Sequence, residues 1–245
     1  MSEMAPVSGL DEVKAGLANF RPLERKLISE LLVGAAEKLD AGRPGIPGDL
    51  VEFLTNCVYT VDEHNPDEPV RKLPMDEKPY LREIVRLWQS KNLVRIEKSR
   101  QLMVSWLMAA CHLHMVLAKP GKLVAWCSKK ADDADAMLRQ RLWHIYLHIP
   151  GEYAVPPGRY VQGRIEVYHN GSPIPTSQIL AIPQGSEQLR QYTFSAIVSD
   201  EFAFQEHQEE AYAAARPTVD GGGKLTLISS ANGRELFYKI GHEDL

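Results

Sequence analysis

The stretch Leu93-Val-Arg-Ile-Glu-Lys98-Ser99-Arg100-Gln101-Leu102-Met103-Val104-Ser105-Trp106 decides how this 245-residue chain is read. An apolar run of strand length, Leu93–Ile96, passes into a polar loop, and from Ser105 to Leu117 the apolar residues fit a helix. Strand, loop and helix in that order form the setting of a phosphate-binding loop, where backbone N–H groups and a helix N-terminus attract an anion. Against the pattern G-x-x-x-x-G-K-[ST], Ser105 falls on the hydroxyl that ligates Mg²⁺. Lys98 stands at the first glycine, Met103 at the second and Val104 at the lysine, so the loop contains no glycine. The other reading is an ordinary strand–helix turn with solvated Lys and Arg side chains.

Two further apolar runs end in chemistry-bearing residues. Phe194-Ser-Ala-Ile-Val-Ser-Asp200-Glu201 ends in adjacent carboxylates. There Asp200 can hold the water shell of Mg²⁺ and Glu201 can orient or deprotonate an attacking water, or Asp200 can simply cap a helix. Leu225-Thr-Leu-Ile-Ser229-Ser230-Ala231-Asn232-Gly233 ends in small hydroxyl and amide groups that can bond a terminal phosphate or form a turn.

Around these, short apolar strands alternate with amphipathic helices. Helices are expected over Tyr80–Gln89, Ala131–Leu147 and Gln205–Arg216, a strand over Leu123–Cys127, and a loop over Pro150–Gly163. Ile165–Tyr168 and Gln178–Ile182 read as a hairpin around Asn170-Gly171. The alternation predicts an α/β fold with a mostly parallel sheet flanked by helices, and ligands beyond the carboxyl ends of its strands. Nearer the N-terminus, Leu23, Leu27, Ile28, Leu31, Leu32 and Ala35 recur at helical spacing between Pro22 and Leu39, and Asp49 is placed to cap a short helix through Cys57. Residues 60–79 carry four prolines and read as a connector, so the expected domains are an N-terminal helical lid or adapter, 1–75, and the α/β core, 76–245.

Hydrophobic residues make up 44% and charged residues 24%, ordinary globular values, and the net charge of −4 excludes a broadly basic nucleic-acid coat. Cys57, Cys111 and Cys127 are isolated among apolar residues, which points to buried thiols in a reducing compartment. The acidic start without an apolar core, and the lack of a run near ~18 apolar residues, predict no signal peptide and no membrane span. His144 and His148 lack a third metal ligand, and His112 and His114 diverge on a helix. Asp132, Asp133 and Asp135 suit a helix start, and the four tryptophans are not interleaved with basic runs.

With IEKSRQLMVSW, IVSDEFAF and SSAN in this order, residues 70–240 resemble the large terminase subunits, the genome-packaging motors of tailed bacteriophages. The resemblance implies a RecA-like P-loop ATPase fold of the additional-strand, catalytic-glutamate (ASCE) class. It also implies ATP hydrolysis with Mg²⁺ that drives double-stranded viral DNA into a procapsid in the host cytoplasm. The loop Lys98, Ser99, Arg100, Gln101, Leu102, Met103, Val104 and Ser105 would bind the phosphates, with Lys98 supplying the charge from the opposite end of the loop to the usual lysine. Ser105 and Asp200 would hold Mg²⁺, Glu201 would activate water, and Ser230, Ala231 and Asn232 would couple hydrolysis to motion. Arg190 would act as a finger on a neighbouring subunit's γ-phosphate or form a structural salt bridge. Tyr80, Arg82 and Gln89 are candidates for the adenine pocket. Expected partners are ATP, DNA, a portal protein, the small terminase subunit and further copies of the chain in a ring. The family's nuclease domain is not expected in the residues after Asn232. Two other readings are kept: a helicase-like nucleic-acid remodelling ATPase, and a nucleotide-binding or oligomerisation module with little turnover.

Overall fold

The computed structural model describes residues 42–62, 65–184 and 186–242. The helix expected over 22–39 lies outside them. From Pro44 onward the described residues belong to one compact unit. Asp49 accepts the Glu52 N–H and caps α1 (Leu50–Asn56), as its position before an apolar run dictates. The segment expected as a connector instead forms a hairpin of β1 (Tyr59–Val61) and β2 (Val70–Lys72). Alternation is too short there to be legible in the sequence. Leu50, Phe53 and Leu54 share a core cluster with Leu81 and Val85, so the boundary expected near residue 75 does not separate them.

The core follows as α2 (Pro79–Ser90), β3 (Leu93–Glu97), α3 (Val104–Ala118) and β4 (Leu123–Ser128). Next come α4 (Ala131–Met137), a π-helical stretch Leu138–Trp143, and α5 (His144–Leu147). The single regular helix expected over Ala131–Leu147 is therefore interrupted by a wide turn. β5 (Gly158–Val161) lies inside the stretch expected as a loop, where it pairs antiparallel with β6 (Arg164–Val167). The remaining elements are β7 (Ser177–Pro183), α6 (Ser186–Arg190), β8 (Ala196–Ser199), a 3₁₀ turn Phe202–Phe204, α7 (Gln208–Asp220), β9 (Lys224–Ser229) and α8 (Leu236–His242).

β3 to β9 form one seven-stranded sheet in the order β3-β9-β8-β4-β7-β6-β5, parallel from β3 to β7 and antiparallel at the β6 and β5 end. Strand residues alternate between two cores. Val124, Trp126 and Val198 join the cluster beneath α1 to α4, while Ala125, Cys127 and Ile197 join the one beneath α6 to α8. α3 is buried along nearly its whole length, which explains its apolar composition on every side. β9 lies between β3 and β8, the additional-strand arrangement. Glu97 is level with Ser229, and Ser199 with Cys127, so the strand ends carrying Lys98, Ser230 and Asp200 share one rim.

Candidate active site

Strand pairing continues just past the strands and sets the backbone of the rim. The Lys98 N–H donates to the Ser229 carbonyl at 2.9 Å, and the Asp200 N–H to the Cys127 carbonyl at 3.0 Å. Beyond these bonds the side chains converge. Lys98 Nζ lies 3.0 Å from Glu201 Oε1, with the lysine side chain only 11% exposed and the glutamate 44%. Ser230 Oγ donates to Glu201 Oε2 at 3.5 Å. Residues 103 positions apart thus meet because β9 brings their strands within two ladder spacings of each other.

The loop between β3 and α3 reaches its shape without glycine. Gln101 and Met103 both take left-handed backbone conformations, at φ +63° and +59°, each costing about 1–2 kcal/mol for a residue with a Cβ. Met103 stands where the phosphate-loop pattern has its second glycine, so a methionine adopts the conformation that glycine would adopt freely. Tyr80 Oη donates to the Leu102 carbonyl at 3.1 Å and ties the loop to the start of α2. Ser99, Arg100 and Gln101 are exposed, and Val104 and Ser105 are buried in the first turn of α3.

Asp200 is buried, 6% exposed, and its Oδ1 accepts the Glu201 N–H at 3.1 Å. Burial pushes its carboxyl pKa above the ordinary range, and neighbouring Glu201 adds to the rise, while Lys98 and Arg141 oppose it. Glu201 itself sits at φ +50°, a turn that lifts its carboxylate off the strand line and leads into Phe202–Phe204. Ala203 in that turn is gripped at both polar groups. Its N–H donates to Ser229 Oγ at 3.1 Å, and its carbonyl accepts from Asn232 Nδ2 at 2.8 Å and Gln208 Nε2 at 3.1 Å. Gln208 Oε1 in turn accepts the Phe237 N–H at the start of α8. Gln205 Nε2 braces the other side through Ser199 Oγ at 2.8 Å and the Asp200 carbonyl at 3.3 Å.

Other expected residues lie elsewhere. Ala231 is exposed on the segment after β9, and Arg190 is exposed at the end of α6. Arg82 turns to Asp76 in a salt bridge. Gln89 is not at the rim. It lies at the far end of α2, where its carbonyl accepts from Lys224 Nζ at the opening residue of β9, the opposite edge of the sheet from the strand ends. Trp88, beside it, is core, with Nε1 donating to buried Thr226 Oγ1 at 3.0 Å. His112 and His114 do diverge, the first toward Trp88 and Trp126, the second toward Phe53 and the Pro47 carbonyl. The His144 and His148 rings stack on each other, and among the described residues no group of three or more His, Cys, Asp or Glu is placed to hold a metal ion.

Sequence reasoning missed Arg141. It belongs to the π-helical stretch and holds its guanidinium 5.5 Å from the centre of the Trp106 ring, on the residue after Ser105. Gln205 and Gln208 were missed as well, because nothing in their spacing reveals which strand end they return to.

The donor set suits a hard cation held in part by non-protein oxygens. A serine hydroxyl and a single buried carboxylate lacking full compensation match Mg²⁺, which keeps waters and substrate phosphates around it.

No protein-family model matches the chain, and no curated protein matches it. Solved structures do. The HK97 bacteriophage large terminase aligns over 78% of this chain at 11% identity with a TM-score of 0.58. The large terminase of a thermophilic bacteriophage aligns over 66% at 12% identity and 0.51. The Thermus phage P74-26 large terminase ATPase domain aligns over 60% at 18% identity and 0.46. The matches cover 39% of the HK97 chain, 41% of the thermophilic bacteriophage's chain and 62% of the P74-26 domain. At these identities the likeness concerns the backbone, and it establishes that the chain has the RecA-like α/β fold of phage large terminases.

Proposed function

We propose that the chain is the ATP-hydrolysing motor domain of a phage large terminase, driving double-stranded DNA into a procapsid. The observation that carries this reading is the meeting of Lys98, Asp200, Glu201 and Ser230 at the ends of three adjacent parallel strands. In this reading the β3–α3 loop receives the triphosphate on its backbone N–H groups and on the N-terminus of fifteen-residue α3. Lys98 exchanges its partner from Glu201 to phosphate oxygen. Glu201, released, accepts a proton from the water that attacks the γ-phosphorus in line, and the ADP–phosphate bond breaks as the new bond forms. Ser105 and Asp200 would hold Mg²⁺, which would supply charge neutralisation to the phosphates. Ser230 and Asn232 register the glutamate's position through its carboxylate and the Ala203 carbonyl.

Arg190 would reach the γ-phosphate of a neighbouring copy in a ring, and Tyr80, beside the loop, would border the adenine. A portal protein, a small terminase subunit and DNA complete the assembly in the host cytoplasm. Among the described residues no helix is long and apolar enough to cross a membrane. Calorimetric titration with Mg·ATP, paired with phosphate release, tests the reading. Saturable heat and turnover are expected. No heat at millimolar nucleotide would overturn it in favour of an inert module, and strand separation by the chain alone would favour a helicase-like remodeller.

A further inference from the structure

We propose that Arg95 is a positioning residue that clamps α8 to the strand leading into the phosphate loop, so that α8 loosens when Lys98 leaves Glu201 for a nucleotide. The inference rests on the nucleotide-hydrolysing reading above and adds to it the element that responds to the bound nucleotide. Val94 and Ile96 pack in the core beneath α1 to α4, so Arg95 between them points to the face that α8 covers. Its side chain is only 15% exposed, and a guanidinium is costly to bury unless its N–H groups find acceptors. Nε donates to the Phe237 carbonyl in α8 at 2.5 Å, and Nη2 donates to Glu97 Oε2, on the residue before Lys98, at 2.7 Å. The flat face of the guanidinium lies 4.3 Å from the centre of the Phe237 ring. Gly241, one helical turn beyond Phe237, completes the seat. A Cβ there would stand 2.7 Å from the guanidinium carbon, inside contact distance, so glycine lets the helix lie directly on the arginine.

Phe237 joins this clamp to the other side of the site. Its N–H donates to Gln208 Oε1 at 3.2 Å, and Gln208 Nε2 donates to the Ala203 carbonyl in the turn after Glu201. Its buried ring faces Phe202, the residue after Glu201, with 6.2 Å between ring centres. One residue of α8 is therefore tied toward Lys98 through its carbonyl and toward Glu201 through its N–H. The ion pair between Lys98 and Glu201 at 3.0 Å closes the circuit. When Lys98 exchanges Glu201 for a phosphate, the circuit opens at that pair, and the two arms lose the contact that held them in one position. Opening loosens α8, and by reciprocity a looser α8 favours the nucleotide.

Hydrogen exchange at the amides of residues 236–242 tests this in the full chain, with and without saturating Mg·ATPγS, for wild type, Arg95→Met and Gly241→Ala. In wild type, bound ATPγS should speed exchange in α8 at least about threefold. Arg95→Met opens the clamp beforehand, so its α8 should exchange faster without nucleotide, and ATPγS should add less than about half of the wild-type response. Gly241→Ala displaces the guanidinium from the helix side and should reduce the response likewise. Calorimetry in parallel should show ATPγS bound by Arg95→Met no weaker than by wild type and at most about threefold tighter, the limit set by the same coupling. A purely packing role for Arg95 would speed α8 exchange by the same factor with and without nucleotide. That result, weaker ATPγS binding by Arg95→Met, or wild-type α8 exchange not accelerated by bound ATPγS would overturn the clamp while the nucleotide reading stands. Should Arg95→Met not fold, Gly241→Ala, which keeps the arginine, decides by the same ratio. Wild type that binds no ATPγS would overturn both.

Discussion

Replacing Glu201 with Gln should slow turnover and tighten nucleotide binding at once, and the two effects have separate origins. The substitution removes the negative charge 3.0 Å from Lys98 Nζ while leaving an amide oxygen that can still accept from it. Two unit charges about 3 Å apart attract by roughly 5 kcal/mol at an effective dielectric of about 20. The glutamate is 44% exposed, so screening and the cost of desolvating the lysine reduce the net strength to about 1 kcal/mol. Lys98 must give up that attraction to reach a phosphate. Without it, Mg·ATP should bind about fivefold tighter. The amide cannot take a proton from water, so turnover should fall by ~10²-fold or more. Calorimetry gives the first quantity and a phosphate-release assay the second. Turnover within about threefold of wild type would remove Glu201 from the chemistry. Weaker binding would refute the exchange of partners by Lys98.

Lys98→Ala should weaken Mg·ATP binding at least tenfold, read in the same titration, since it removes the cation from the rim. Trp88→Phe should lower stability by about 1–2 kcal/mol in urea denaturation, because Thr226 Oγ1, fully buried, loses its donor and Lys224 loses the indole face. His112 supplies a pH test. Burial pushes its imidazole down to about 4 from the ordinary 6.5. Between those values the unfolded chain binds the proton and the folded chain does not, so stability is complete above 6.5 and declines as pH falls toward 4. His112→Phe should flatten that decline in melting temperature against pH, followed by circular dichroism.

Much of the frame was legible because burial on both faces writes a plain signal. Leu123–Cys127 is a continuous apolar run and Leu225–Ile228 is broken only by Thr226, as suits strands of a covered parallel sheet, and α3 is predominantly apolar for the same reason. β5 was not legible. Gly158-Arg-Tyr-Val follows two prolines and has one half-exposed face, so its strand character comes from pairing with β6 and not from its own composition. The π-helical turn is likewise invisible in periodicity, because it arises from how α3 and the edge hairpin pack against that helix. In the candidate site the charged residues at strand ends were identifiable from chain order. Their partners were not: the αL backbone of Met103, the bracing by Gln205 and Gln208, and the approach of Arg141 all depend on segments separated widely in the chain.

The double grip on Ala203 has a mechanical consequence. With its amide anchored to the end of β9 and its carbonyl held by both Asn232 and Gln208, this residue has no slack in which a shift of the adjoining glutamate can be lost. In the proposed motor a displacement there would be handed on along these bonds, one way into the segment after β9 and the other through the Gln208 amide to the first turn of α8. In the proposed motor the turn would act as a crank, with its throw set by the carboxylate and its load carried by the C-terminal helix.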